Sequence, residues 1–158
     1  MKPISRRQFA IGAALLPLVS GTGLAQTALP KMTVSKDPSC GCCGAWVTYL
    51  QDDGFVVETI EAVDMERVKA ALGVPQPLWS CHTAEIGGYV IEGHVPAPII
   101  RRLLRERPAF TGLAVAGMPM SAPGMDVPGA RDTYEVAAFK GATQQPYARF
   151  QGRREIAG

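Results

Sequence analysis

The sequence predicts a single mixed α/β domain, and three observations carry that prediction. Short β-branched runs alternate with segments whose apolar residues recur at helical spacing. Gly and Pro fall at the joints between them. The part of the 158-residue chain left after an N-terminal targeting segment is the size of one compact core.

That targeting segment is residues 1–25. Ser5-Arg6-Arg7-Gln8-Phe9 is a twin-arginine pattern, an apolar run follows from Ala10 to Val19, and Gly23-Leu24-Ala25 offers small residues for a signal peptidase. Counted from Phe9, the run is too short and too rich in Gly and Pro to cross about 30 Å of hydrocarbon, so cleavage is expected rather than a permanent membrane anchor. The implied location is the bacterial periplasm, and residues 26–158 are the expected domain. The whole chain carries 16 basic and 14 acidic side chains. Loss of Lys2, Arg6 and Arg7 brings the remainder close to neutrality. No basic patch interleaved with aromatics remains. Arg101, Arg102, Arg105 and Arg107 on one expected helix read as a solvated face, so nucleic acid is excluded as a partner.

Each element can be justified in order. Residues 31–34 are a short β-rich start, and a Gly-containing loop with three cysteines follows. Ala45 to Asp53 places Trp46, Val47, Tyr49 and Leu50 at helical spacing before Gly54 stops the helix. Residues 55–60 read as a strand. Asp64 caps a helix whose inward face is Met65, Val68 and Leu72, with Gly73 and Pro75 ending it. Residues 79–86 and 88–91 form a hairpin about Gly87-Gly88. Residues 96–107 are a third helix with Ile99, Ile100, Leu103 and Leu104 inward, and Pro108 ends it. A loop rich in Gly, Pro and Met spans residues 116–128, and strands are expected at 134–139 and 147–150. Strand, cysteine loop, helix, strand, helix, hairpin, helix is the order of a thioredoxin-like three-layer α/β sandwich, with the cysteines at the start of its first helix.

The four cysteines occupy two places, Cys40-Gly41-Cys42-Cys43 and Cys81-His82. A helix N-terminus stabilises a thiolate, and thiolates are both nucleophiles and metal ligands, so position alone leaves redox chemistry and metal binding open. Cys40 and Cys43 form a C-x-x-C pair that suits a thiol-disulfide oxidoreductase or a structural bridge. Cys42 complicates the redox reading, because a third thiol beside the pair invites mixed disulfides. Two inert disulfides are disfavoured, since Cys42 and Cys43 are adjacent and only Cys81 lies outside the cluster. Four clustered thiolates suit a soft ion, and sulfurs bridging several Cu(I) ions are more natural than one tetrahedral zinc site. An iron–sulfur cluster would be vulnerable in an oxidising compartment. His82 and His94 are placed for a ligand or supporting role. Met118, Met120 and Met125 bring thioethers that favour Cu(I), with Met118 and Met125 the better candidates. No Ser-His-Asp order, phosphate-binding Gly loop or paired acidic motif stands out; Asp52-Asp53 reads as a solvent-side helix end.

Four separated blocks, residues 36–44 (Lys-Asp-Pro-Ser-Cys-Gly-Cys-Cys-Gly), 80–84 (Ser-Cys-His-Thr-Ala), 88–96 (Gly-Tyr-Val-Ile-Glu-Gly-His-Val-Pro) and 117–119 (Gly-Met-Pro), stand in an order that resembles the CopG-like periplasmic copper-resistance family. The resemblance implies a thioredoxin-like domain holding copper on Cys40, Cys42, Cys43 and Cys81, with His94, Met118 and Met125 near the metal. It further implies exchange of copper ions, interconverting or passing them on; copper chaperones or efflux components are the expected protein partners. Whether catalytic turnover occurs stays open at this level, as does a thiol-disulfide oxidoreductase built on Cys40 and Cys43. The late loop departs from the family pattern. Where the family usually reads Gly-Ser-Pro-Gly-Met-Glu, this chain has Ser121-Ala122-Pro123-Gly124-Met125-Asp126, and loss of the first Gly is expected to change how the loop closes over the site.

Overall fold

The computed structural model describes residues 28–157, so the targeting segment and cleavage site expected in residues 1–25 lie outside the described residues. No described helix is long and apolar enough to cross a membrane.

The chain opens with strand β1 (Met32–Lys36), helix α1 (Gly41–Asp52), strand β2 (Val57–Glu61) and helix α2 (Met65–Ala71). A 3-10 turn, Gln76–Leu78, leads into the hairpin β3 (His82–Ile86) and β4 (Tyr89–Glu92), then helix α3 (Ala97–Glu106). Four further strands complete the fold: β5 (Gly112–Ala114), β6 (Thr133–Lys140), β7 (Thr143–Gln151) and β8 (Arg154–Ile156). All eight strands share one sheet in the order β2-β1-β3-β4-β5-β6-β7-β8. β1 runs parallel to β2 and antiparallel to β3, and β4 runs parallel to β5, so the sheet is mixed.

Strand alternation sorts the side chains into two cores. Trp46, Val47 and Leu50 of α1 and Ile99, Ile100 and Leu103 of α3 pack on Met32, Val34, Ala84, Ile86, Ile91 and Leu113 on one face. Val74, Leu78, Val90, Ala114, Ala137 and Phe139 form the other core. α2 covers that second face, where Lys69 reaches Thr83 and Glu92. Three layers result, as expected, and the first seven elements follow the anticipated order.

The structure corrects the sequence reading at four places. β5 and β8 are additional strands, and β7 begins four residues earlier than expected. In α2 the buried residue is Lys69, whereas Met65, Val68 and Leu72 are only half-buried. α1 starts at Gly41, four residues before the expected Ala45, and the first hairpin strand starts at His82 rather than at residue 79. The arginines of α3 are not simply solvated: Arg101 pairs with Asp53 and Arg102 makes a two-pronged pair with Glu155 on β8.

Candidate metal centre

Three segments converge at one end of the sheet. The first is the turn into α1. The Asp37 carboxylate accepts from the Ser39 backbone N–H and hydroxyl, folding residues 37–39 into a tight turn. Those two bonds, the hydroxyl's first, hold the Asp37 carboxyl below its usual range. Cys40 then occupies the N-cap without a side-chain cap, and Cys42 and Cys43 fall in the first turn. The second segment is the entry to β3, which carries Cys81 and His82. The third is the late loop, whose Pro123 carbonyl faces His94.

Cys40 and Cys43 are joined by a disulfide, and Cys42 and Cys81 are free thiols. The Cys42 sulfur lies 3.6 Å from that of Cys40 and 3.8 Å from that of Cys81. All four sulfurs lie within 4.8 Å of one another, and Cys81, His82 and His94 form a second group on the same scale. The four-thiolate set expected from sequence therefore requires reduction of one bond. In the oxidised state the soft donors are Cys42, Cys81 and the imidazoles.

His94 is oriented from behind. Its Nδ1 lies 2.7 Å from the Pro123 carbonyl oxygen, which can only accept, so Nδ1 carries a hydrogen. Burial depresses the His94 pKa, favouring the neutral ring, and Nε2 then presents its lone pair 3.1 Å from the Cys81 sulfur. Fixing one ring nitrogen by a hydrogen bond so that the other is free is the usual preparation of a histidine ligand. His82 is fully buried, its ring centroid 4.3 Å from that of Trp46 and 5.0 Å from that of His94. Its Nδ1 lies 3.3 Å from the Cys81 sulfur, and its Nε2 is buried with no hydrogen-bond partner among the described residues. Burial, with His94 and Lys69 nearby, holds His82 well below the ordinary imidazole range, so it is neutral. His82 Nδ1 and His94 Nε2 thus both lie beside the Cys81 sulfur, and one sulfur flanked by two neutral imidazole nitrogens fits a soft metal ion.

Cys81 is a poor nucleophile as it stands. Burial and the adjacent Cys42 push its thiol up to about 12. It therefore remains protonated near neutrality, because it stands at the entry to β3, away from the helix N-terminus that was expected to activate the cysteines of residues 40–43. A metal that binds it must displace that proton.

The late loop is docked at both ends. The Ser80 hydroxyl donates to the Gly117 carbonyl, and the Gly117 N–H donates to Trp79. Gly124 has φ +85°, and a Cβ placed there would lie 2.6 Å from the Trp46 backbone nitrogen. Ser121 has no positive φ and donates its hydroxyl to the Asp132 carbonyl, so this chain closes the loop without the glycine of the family pattern. Of the candidate thioethers, Met118 is 56 % exposed and Met125 is half-buried. The structure thus brings together Cys40, Cys42, Cys43, Cys81 and His94, and leaves Met118 facing solvent. Sequence reasoning missed Trp46 as the platform beneath His82 and Pro123 as the partner of His94. It also missed Glu92, a charge at the end of the otherwise apolar run Tyr89-Val90-Ile91, which was a readable signal.

Residues 78–125 match the family described as "Protein of unknown function, DUF411". No curated protein sequence matches the chain. Two solved structures are similar over most of its length: "Copper resistance protein copG- Form 2", 41% identical, covers 77% of this chain and 98% of its own with a TM-score of 0.73. "Copper resistance protein copG- Form 1", also 41% identical, covers 78% of this chain and 99% of its own with a TM-score of 0.72. With that identity over nearly the whole of the solved chains, the protein belongs to the CopG-like copper-resistance family.

Proposed function

We propose that this protein is a periplasmic copper-binding protein of copper resistance and homeostasis. Its cargo is Cu(I), held as a small multinuclear cluster on Cys40, Cys42, Cys43 and Cys81 once the Cys40–Cys43 bond is reduced. The observation that carries the reading is the convergence of four sulfurs within 4.8 Å, with His94 Nε2 3.1 Å from one of them. Thiolate and imidazole donors select Cu(I) over hard cations, and sulfurs packed this closely can each serve more than one ion. His94 supplies a nitrogen ligand, and the late loop supplies thioethers from the half-buried Met125 and from Met118, whose side chain must turn in from solvent to reach the metal. Zinc is the weaker candidate, since a single tetrahedral ion does not need adjacent Cys42 and Cys43. The Cys40–Cys43 bond stores two oxidising equivalents at the copper site, which suits interconversion of copper states or transfer to a chaperone or efflux component.

The test is metal analysis of the mature protein, reduced anaerobically, supplied with equal copper and zinc and desalted, with thiols titrated alongside. More than one copper per chain with protected thiols is expected. No retained metal and four freely reactive thiols overturn the reading. A second reading, a thiol-disulfide oxidoreductase using Cys40 and Cys43, is favoured by the disulfide itself at the start of α1. It requires that Cys42→Ser keep thiol-exchange activity, whereas cluster formation on shared sulfurs requires that this variant lose copper.

A further inference from the structure

On the sheet face opposite His82, α2 inserts the Lys69 ammonium against the Glu92 carboxylate at 2.6 Å, with side chains 4% and 0% exposed. Burying two charges costs several kcal/mol per ion before their attraction is counted, and an apolar pair of similar volume would dock α2 as well or better. The pair is therefore a poor device for stability alone. What distinguishes it is where its hydrogen bonds go. Glu92 Oε1 accepts from the Ser80 backbone N–H at 2.6 Å, and Oε2 accepts from the Thr83 hydroxyl at 2.6 Å. Lys69 also donates to that hydroxyl oxygen at 3.0 Å. One carboxylate thus grips the residues on both sides of Cys81-His82.

Ser80 is clamped from two further directions. Its hydroxyl donates to Gly117, the residue before Met118. Gly93 closes on it from behind: a Cβ at Gly93 would lie 2.6 Å from both the Ser80 Cβ and Oγ. The position of the Cys81 sulfur relative to Cys42 and His94 therefore depends on Ser80, and Ser80 depends on Glu92.

We propose that the buried Lys69–Glu92 pair is the positioning device of the copper site, setting Cys81 through Ser80 and tying it to the loop that bears Met118. The inference rests on the copper reading for its purpose, yet the anchoring itself is testable without metal. Lys69→Met with Glu92→Leu removes both charges and leaves the Ser80 N–H without an acceptor. Lys69→Met with Glu92→Gln also removes both charges but restores a carbonyl acceptor for Ser80 and a donor for Thr83.

The experiment alkylates the metal-free, disulfide-intact protein with iodoacetamide and follows Cys42 and Cys81 separately by peptide mass spectrometry. In the Leu variant the Cys81 rate is expected to rise at least tenfold with Cys42 within twofold, and in the Gln variant Cys81 stays within about threefold of wild type. Loss of fold would raise both rates together, so a rise confined to Cys81 reports the anchor. An unchanged ratio in a folded Leu variant overturns the proposal, as does a Gln variant that behaves like the Leu one. Should the Leu variant not fold, amide hydrogen exchange in the wild type decides: Ser80 must be protected like Gly93, which donates to His82 in the hairpin, and exchange at the rate of an open loop sinks the anchor. Cu(I) competition against bicinchoninate then reads the purpose, with at least tenfold weaker binding expected for the Leu variant and near-wild-type binding for the Gln variant. A wild type that takes up no copper defeats the copper reading and leaves the alkylation result to judge the anchor alone.

Discussion

Gly124→Ala is the sharpest single perturbation of the loop that orients His94. The position has φ +85°, and the new Cβ would meet the Trp46 backbone nitrogen at 2.6 Å, its Cα at 2.8 Å and its Cβ at 2.8 Å. Two costs follow. A left-handed backbone costs an L-residue roughly 1–2 kcal/mol. The clash is with helix backbone rather than a flexible side-chain tip, so it must be relieved by moving the loop or α1, which costs about 1–3 kcal/mol as overpacking. The expected loss is about 2–5 kcal/mol. Gly129→Ala is the matched control, because Gly129 has φ +81° and nothing within 4 Å of its would-be Cβ. It carries the backbone cost alone, and any stabilisation from a stiffer unfolded chain is common to both and cancels. Urea denaturation of the metal-free proteins at one pH gives the difference, which isolates the contact with Trp46. Movement of the loop also draws the Pro123 carbonyl away from His94 Nδ1, so the histidine's ring signals in an NMR spectrum are expected to change in Gly124→Ala and not in Gly129→Ala. Equal losses in the two variants would refute the claim that this loop is held by its close approach to α1.

Other expectations concern the site's chemistry. Thiol titration under denaturing conditions is expected to find two reactive thiols in the air-exposed metal-free protein, Cys42 and Cys81, and four after reduction; four at the outset would disprove the Cys40–Cys43 bond. Acid is expected to destabilise the metal-free fold. The His82 and His94 pKa values are depressed by burial, so the unfolded chain takes up their protons first, near pH 6.5, and stability is lost as pH falls from above that value toward the folded values. Melting temperature should fall between pH 7.5 and 5, with a shallower slope in His82→Phe; an identical slope would show that His82 titrates normally. Trp46→Ala removes a fully buried side chain, the bond from its indole N–H to Val95 and the surface under His82, and is expected to cost about 3–5 kcal/mol by chemical denaturation.

The parts of the fold legible in sequence were those whose periodicity was clean. Trp46, Val47 and Leu50 and, on α3, Ile99, Ile100 and Leu103 announce helices because each set occupies one stripe, and Gly87-Gly88 announces the hairpin because both residues hold positive φ. The missing strands had no such pattern. Arg154-Glu155-Ile156 pairs at a sheet edge with two charged residues of three, and Thr143-Gln144-Gln145 is exposed. Pro146 argues against a strand, yet β7 accommodates it at an irregularity where Val136 faces Ala148 and Ala137 faces Pro146, leaving Tyr147 extra. The helical periodicity of α2 misled because it assigned the inward face to apolar residues, and the residue actually buried is a lysine whose partner lies 23 positions away.

The site divides along the same line. Which residues meet was readable, because Cys40, Cys42, Cys43 and Cys81 are chemically conspicuous and the strand order brings β3 beside β1 and so beside the turn into α1. What state they are in was not readable, because one sequence encodes both a disulfide with two thiols and a set of four thiols, differing by two electrons and two protons. Spacing cannot distinguish them; distance and burial can. With Cys40 bonded to Cys43, the soft donors left are Cys42, a half-buried Cys81 that keeps its proton, and imidazoles held neutral by their surroundings. Reduction doubles the sulfur count without requiring that any strand or helix move, since the four sulfurs already lie within 4.8 Å. On the copper reading, the rigid fold therefore fixes where the metal goes, and the oxidation state of one bond at the start of α1 fixes how many sulfurs receive it.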